Sequence, residues 1–194
     1  AYLTWDESVD PDLNYYEVYR NNDLVEYSQT NSFSEEIEIL PITYHIIAYD
    51  NNSNHIASKF RRTSDKQFWS EGNLSECGLF GQHIFGQGGK FITICEGEID
   101  AMSAYELMGS KWPAVSIKNG AASALKNCKQ SLEYLNKFDT VVLCFDNDKQ
   151  GKEAAQQVAK LFEPNKCKIM DLELKDANEY LKMGQREKFT QAWW

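Results

Sequence analysis

Two kinds of hydrophobic patterning divide the chain. From Lys90 onward, short continuous apolar runs alternate with stretches in which apolar residues recur at helical spacing. FITIC at 91–95 and VVLCF at 141–145 read as strands buried on both faces, while Ile99, Met102, Ala104 and Leu107 mark one side of a helix. The pattern predicts strands at 91–95, 114–117, 140–145 and 167–172, and helices at 98–108, 121–135, 150–162, 176–182 and 186–193. Such alternation gives a mainly parallel α/β sheet flanked by helices. Residues 1–55 show no helical period. Their β-prone pieces, YLTW, YYEVYR, LVEYSQ, SFSEE and TYHIIAYD, are separated by the turn-forming DPDLN, NND, TN and NNSN, and together they read as an all-β segment.

The stretch between, residues 56–89, has a different character. Lys59, Arg61, Arg62 and Lys66 cluster near Phe60, Phe68 and Trp69, and six of the eleven glycines lie between Gly72 and Gly89. Cations beside aromatic rings suit phosphates and bases; a solvated face on a charged hairpin is the plainer alternative. The glycines do not form a nucleotide-triphosphatase loop, because Lys90 is followed by Phe91 and a strand rather than by Ser or Thr and a helix. The expected organisation is therefore 1–55, 56–89 and 90–194.

Charge sharpens this division. The net charge of −9 over 194 residues is a property of the front: residues 1–58 hold 11 acids against Arg20, a net of −10, and the remainder holds 19 bases against 18 acids, a net of +1. The rest of the chain is thus compatible with a polyanionic partner. The five cysteines and three histidines are dispersed without a zinc-binding spacing, and no apolar run has the length of a membrane span. Asp6 and Glu7 interrupt any signal-peptide pattern, which points to a cytosolic or comparably reducing home.

Candidate chemistry gathers where strands end. Glu96 and Asp100 stand at i and i+4 across the first strand–helix junction, and Asp146 and Asp148 flank Asn147 after VVLCF. If the chain stays extended there, i and i+2 point the same way and both aspartates face one ligand. Ligands of parallel sheets bind beyond the carboxyl ends of the strands, and carboxylates without a Cys/His set suit Mg²⁺ or Mn²⁺. Acids favoured by a helix dipole are the ordinary alternative. In KNGAASALKNC, Gly120 permits a close approach to the backbone, with Ser123 and Lys126 able to meet an anion. Asp176, with Glu179 three residues on, reads as a helix cap and also lies beyond a parallel strand, beside Lys175.

The stretches IASKFRRTSDKQF, CGLFGQHIF, GGKFITICEGEIDAMSAYEL, VVLCFDNDKQGKEAA and KDANEYL together resemble the Toprim core of the primase portion of T7-like bacteriophage primase-helicases, over about residues 56–194. The resemblance implies synthesis of short RNA primers on single-stranded DNA from nucleoside triphosphates, with Mg²⁺ as cofactor and Mn²⁺ as substitute. It assigns Glu96, Asp100, Asp146 and Asp148 to the metal site, with Glu96 near the reacting hydroxyl and Asp176 as a further acidic member. Lys59 and Lys66 match its nucleotide-contacting lysines, with Arg61 beside them. It also implies a replicative helicase domain and a zinc-binding module in the full-length protein, and action in the cytoplasm of an infected bacterial host. A Toprim nuclease or strand-passing enzyme, or a binding module with a structural metal, uses similar residues. The front segment is similar to a fibronectin type III module, with Trp5 as core tryptophan and Tyr44 as the tyrosine of the penultimate strand; the primase's own β-rich front subdomain is the alternative.

Overall fold

The computed structural model describes residues 2–4, 16–20, 23–28, 32–34, 43–49, 55–62, 64–65, 67–85 and 88–194, with side chains from residue 56 onward. The chain divides into two units, Ala1–Cys77 and Gly78–Trp194.

The described elements of the first unit are antiparallel strands, apart from one short 3₁₀ turn, Leu74–Glu76. β1 (Tyr2–Thr4) pairs with β4 (Ser32–Ser34), and β2 (Tyr16–Arg20) pairs with β3 (Asp23–Ser28) through an irregularity between Val18 and Tyr19. β5 (Thr43–Tyr49), β6 (His55–Arg62) and β7 (Phe68–Gly72) form a meander with β6 in the middle. The basic cluster on β6 is thereby paired with the front segment, since Tyr44 lies opposite Arg61 and Ile46 opposite Lys59. Trp5 lies outside the described residues.

The second unit alternates strand and helix as its apolar pattern requires. Its elements are β8 (Gly89–Cys95), α1 (Glu98–Leu107), β9 (Ala114–Ser116), α2 (Ala124–Gln130), α3 (Leu132–Leu135), β10 (Phe138–Cys144), α4 (Lys149–Ala159), β11 (Cys167–Ile169), α5 (Ala177–Lys182) and α6 (Arg186–Trp193). The four strands lie in the order β11-β10-β8-β9, and every neighbouring pair is parallel. The helix expected over 121–135 is broken instead into a 3₁₀ turn, α2 and α3. Ser131 leaves helical geometry at φ −100, ψ 13, although its N–H still reaches the Asn127 carbonyl at 3.2 Å. The last strand stops at Ile169 rather than running to 172; Met170 N still donates to the Leu143 carbonyl at 2.9 Å, and Met170 and Leu172 continue as buried core.

Alternation along the central strands builds two cores. Ile92, Ile94, Val141 and Leu143 pack with Ala124, Cys128, Leu135 and Val158 from α2 to α4. Phe91, Cys95, Val142 and Cys144 pack with Ala101, Leu107, Tyr180 and Phe189 from α1, α5 and α6. Each face of the sheet is thus covered by helices, and continuous apolar runs are what strands in that position need. One polar pair is satisfied inside the second core, where Trp193 Nε1 donates to Thr93 Oγ1 at 2.8 Å. The connection from β8 to β9 runs toward one edge, and the next returns past β8 to β10. That reversal leaves a crevice between the carboxyl ends of β8 and β10, where open α/β sheets bind ligands. Among the described residues, no helix is long and apolar enough to cross a membrane.

Candidate active site

The two strands beside this crevice each deliver an acid. Cys95 and Cys144 are partners in the β8–β10 register; Glu96 follows the first directly, and Asp146 follows the second after Phe145. Glu96 Oε1 accepts a hydrogen bond from Ala121 N at 3.1 Å. The preceding Gly120, at φ 67 and ψ −179, holds a conformation essentially closed to other residues, so glycine is what aims the Ala121 amide. Glu96 Oε2 is buried with no hydrogen-bond partner among the described residues. Burial and then the Asp146 charge push the Glu96 carboxyl above its usual range, against the backbone N–H groups of Ala121 and Asp146.

At Asn147 and Asp148 the chain bends, and this changes the relation between Asp146 and Asp148. The extended geometry that aims i and i+2 at one ligand does not apply; Asp148 is the cap of α4, its Oδ1 accepting from Gly151 N at 2.8 Å. A side chain at Gly151 would collide with the Asp146 carbonyl, so glycine lets α4 start against that turn. Asp148 still raises the pKa of both Glu96 and Asp146 through its charge. The intervening Asn147 fastens the turn: its N–H donates to the Lys175 carbonyl at 2.7 Å and its Nδ2 to the Leu172 carbonyl at 2.6 Å. Asn147 is not among the residues singled out in the sequence; its one signal there is an amide set between two acids at a strand end.

Asp100 and Glu96 part company across the junction they share. Asp100, in the first turn of α1, turns toward α5 and accepts from Asn178 N at 3.3 Å. Burial, followed by the charges of Asp176 and Asp146, pushes its carboxyl up to about 7. Asp176 caps α5 by accepting from Glu179 N at 2.9 Å, and Glu179 Oε2 accepts from Lys175 N at 3.0 Å. The reciprocal cap read from the sequence is formed, reaching one residue further back than the standard pairing. Lys175 Nζ lies 3.3 Å from Asp146 Oδ2 and 3.0 Å from Asp176 Oδ2, and its hydrogen bond to Asp176 leads the effects that hold it protonated well above the usual lysine range.

Three loops, after β8, β10 and β11, therefore bring acids to one end of the sheet. Among the described residues, no three Asp, Glu, His or Cys side chains stand as a finished ligand shell. The residues nevertheless fit a hard divalent cation. The donors are oxygens, one buried oxygen of Glu96 has no partner, and Glu96, Asp100 and Asp146 are all shifted toward holding a proton, as carboxylates short of compensating charge are.

The first unit carries the basic candidates. Lys59 and Arg61 share a face of β6, with Lys59 Nζ 5.7 Å and Arg61 Cζ 5.2 Å from the Phe68 ring centre. Phe60 and Trp69 stack on each other at 5.0 Å, Arg62 pairs with Asp65 at 3.0 Å, and Phe68 is left 58% exposed. Lys66 lies outside the described residues.

Comparison with known proteins places these features in a lineage. A Toprim-like family model matches residues 93–181. The DNA helicase/primase of Enterobacteria phage T3 is 35% identical over 151 residues, which is 78% of this chain and 26% of that protein. The chain thus spans about a quarter of that relative. The second unit has 117 residues, so at least 34 residues of the first unit share in the match. The crystal structure of the primase fragment of the bacteriophage T7 primase-helicase protein superposes with a TM-score of 0.72 at 34% identity, covering 79% of this chain and 64% of that one. T7 primase domains seen with the T7 lagging-strand DNA polymerase, bound to an RNA/DNA hybrid and dTTP, give 0.72 and 34%, covering 79% and 78%. The Toprim-like match across the acid-bearing loops and the close likeness to these T7 primase structures together show that the chain belongs to the Toprim-like family, with the phage T7 primase domains and the T3 DNA helicase/primase among its relatives.

Proposed function

We propose that this chain is the catalytic part of a DNA primase, a nucleotidyltransferase that makes short RNA primers on single-stranded DNA from nucleoside triphosphates during phage DNA replication. The observation that carries this reading is the placement of Glu96 and Asp146 at the switch-point crevice, with Glu96 Oε2 buried and without a hydrogen-bond partner among the described residues.

In this reading Mg²⁺, replaceable by Mn²⁺, would be held by Asp146 and Asp148 with Glu96 or Asp100. When bound, such an ion lowers the pKa of an attacking 3′-hydroxyl and offsets charge on phosphoryl oxygens. The protein's own work is positional and protonic. Glu96 would serve at Oε2 either as a ligand of the ion or, where Asp100 takes that place, as acceptor of the hydroxyl proton, while Ala121 N–H keeps Oε1 in place. Asp176 and Asn147 hold the loops after β11 and β10 to each other and to α5, and so fix where Asp146 stands. Lys59, Arg61 and Lys66 neutralise phosphates of the triphosphate or the template, and the exposed Phe68 ring offers a surface for a base. The helicase named in the T3 relative, and a zinc-binding module for choosing template sequence, belong to other parts of the full-length protein, which acts in the cytoplasm of an infected bacterial host.

The test is incorporation of labelled ribonucleotides on single-stranded templates with Mg²⁺ or Mn²⁺. Template-dependent oligoribonucleotides that disappear with chelator are expected. Cleavage of the template without incorporation would move the assignment to a Toprim nuclease.

A further inference from the structure

We propose that Lys175 is a built-in counter-cation that an incoming divalent ion displaces, so that metal entry and release of this ammonium are one exchange; the inference rests on the metal-centre reading above. Lys175 Nζ bridges Asp146 Oδ2 at 3.3 Å and Asp176 Oδ2 at 3.0 Å, carboxylates that come from the loops after β10 and β11. One positive charge stands where two acids meet. A divalent ion draws its oxygen ligands from the same Asp146 carboxylate and brings twice the charge, so the two cations compete for one place.

The ammonium can leave without unmaking the loop. The Lys175 main chain is fastened on both sides, its carbonyl by Asn147 N at 2.7 Å and its N–H by Glu179 Oε2 at 3.0 Å, while Asp176 keeps its cap on Glu179 N at 2.9 Å. None of these bonds uses the side-chain amine. The Lys175 side chain is 57% exposed against 18% for Asp146 and 13% for Asp176, so the flexible member of the trio is the lysine. Its long stem has the rotamer freedom to swing outward and keep its charge in water. Once displaced, it stands beside the acidic centre as a point charge available to an anionic phosphate.

Calorimetric titration with Mn²⁺ of the parent and of Lys175→Met tests the exchange. The Met variant is expected to bind Mn²⁺ about fivefold more tightly or better, the scale of one exposed ion pair removed from competition. Equal or weaker binding by the variant overturns the exchange while leaving the metal centre standing. No Mn²⁺ binding by the parent overturns the metal centre itself, and the exchange with it. A second measurement avoids dependence on the variant's folding: amine-directed acylation of the parent, read by mass spectrometry, with exposed Lys160 as internal standard. Mg²⁺ is expected to speed labelling of Lys175 relative to Lys160 severalfold, and an unchanged ratio contradicts displacement.

Discussion

Lys59 and Arg61 come to one ring because they stand two residues apart on β6, whereas Asp100 and Asn178 meet across 78 residues of chain. The basic hairpin is a local construction: neighbouring strands, alternation and cross-strand pairs put its cations over Phe68. The acidic end of the second unit is an assembly of loops that become neighbours only when the sheet orders its strands as β11-β10-β8-β9. The difference has an energetic side. In the assembled site Asp146, Asp148 and Asp176 raise the pKa of neighbouring carboxylates, and Lys175 opposes this at Asp100 and Asp146, so one substitution there alters several groups. In the hairpin, Lys59 and Arg61 share the Phe68 ring and Arg62 pairs with Asp65, contacts that all lie within one short stretch of chain.

The largest break in this comparison comes from Asp146→Ala. It removes the residue that faces Glu96, Asp148, Lys175 and Asp176 together, and nucleotide incorporation is expected to fall about 100-fold or more while the fold persists. Incorporation within a few fold of the parent at saturating Mg²⁺, measured beside a circular-dichroism melt, would remove Asp146 from the centre. The local site should respond more gently. Lys59→Ala with Arg61→Ala is expected to weaken template binding on the order of tenfold at low salt, and to flatten the salt dependence by about one or two phosphate charges. An unchanged affinity and salt slope, measured by fluorescence anisotropy, return the hairpin to a solvated face.

The smallest effect is one of stability and pH. Asp100 holds its proton up to about 7 in the fold, through burial and then the charges of Asp176 and Asp146. A carboxyl with a raised native pKa binds its proton more tightly folded than unfolded. Its stabilisation is therefore complete below the unfolded value near 4 and drains away as pH rises through about 7. Asp100→Asn, which keeps an acceptor for Asn178 N, is expected to raise the melting temperature at pH 8 in chelator by about 5 °C and to leave it nearly unchanged at pH 4. A shift of equal size at both pH values contradicts the charge explanation.

The sequence showed some of this plainly and hid the rest for physical reasons. The runs FITIC and VVLCF announced doubly buried strands, because both their faces must be apolar, and β8 and β10 carry them. The Asp176–Glu179 cap was legible because both partners lie within four residues. The break at Ser131 carried no such mark: Ser is tolerated within helices, and no glycine or proline interrupts the run. Asp148 was read from an extended geometry that ends two residues earlier, and its part as a helix cap depends on where α4 begins. Lys175 was visible as a neighbour of Asp176, but its bridge to Asp146 depends on β11 lying beside β10. Asn147 acts through carbonyls of that same distant loop, so nothing in its own neighbourhood revealed its partners.

The proposed function stands or falls with one divalent-ion site at the carboxyl ends of β8 and β10. Exchanging the ion for Fe²⁺ and adding hydrogen peroxide, with ascorbate to re-reduce Fe³⁺, generates hydroxyl radicals that cut the backbone nearest the metal, and the cuts can be placed by mass spectrometry. Cuts are expected near Glu96–Asp100, Asp146–Asp148 and Lys175–Asp176, suppressed by excess Mg²⁺ and lost in Asp146→Ala. Cuts confined to other segments, or cuts at these loops that persist unchanged in Asp146→Ala, would contradict the site.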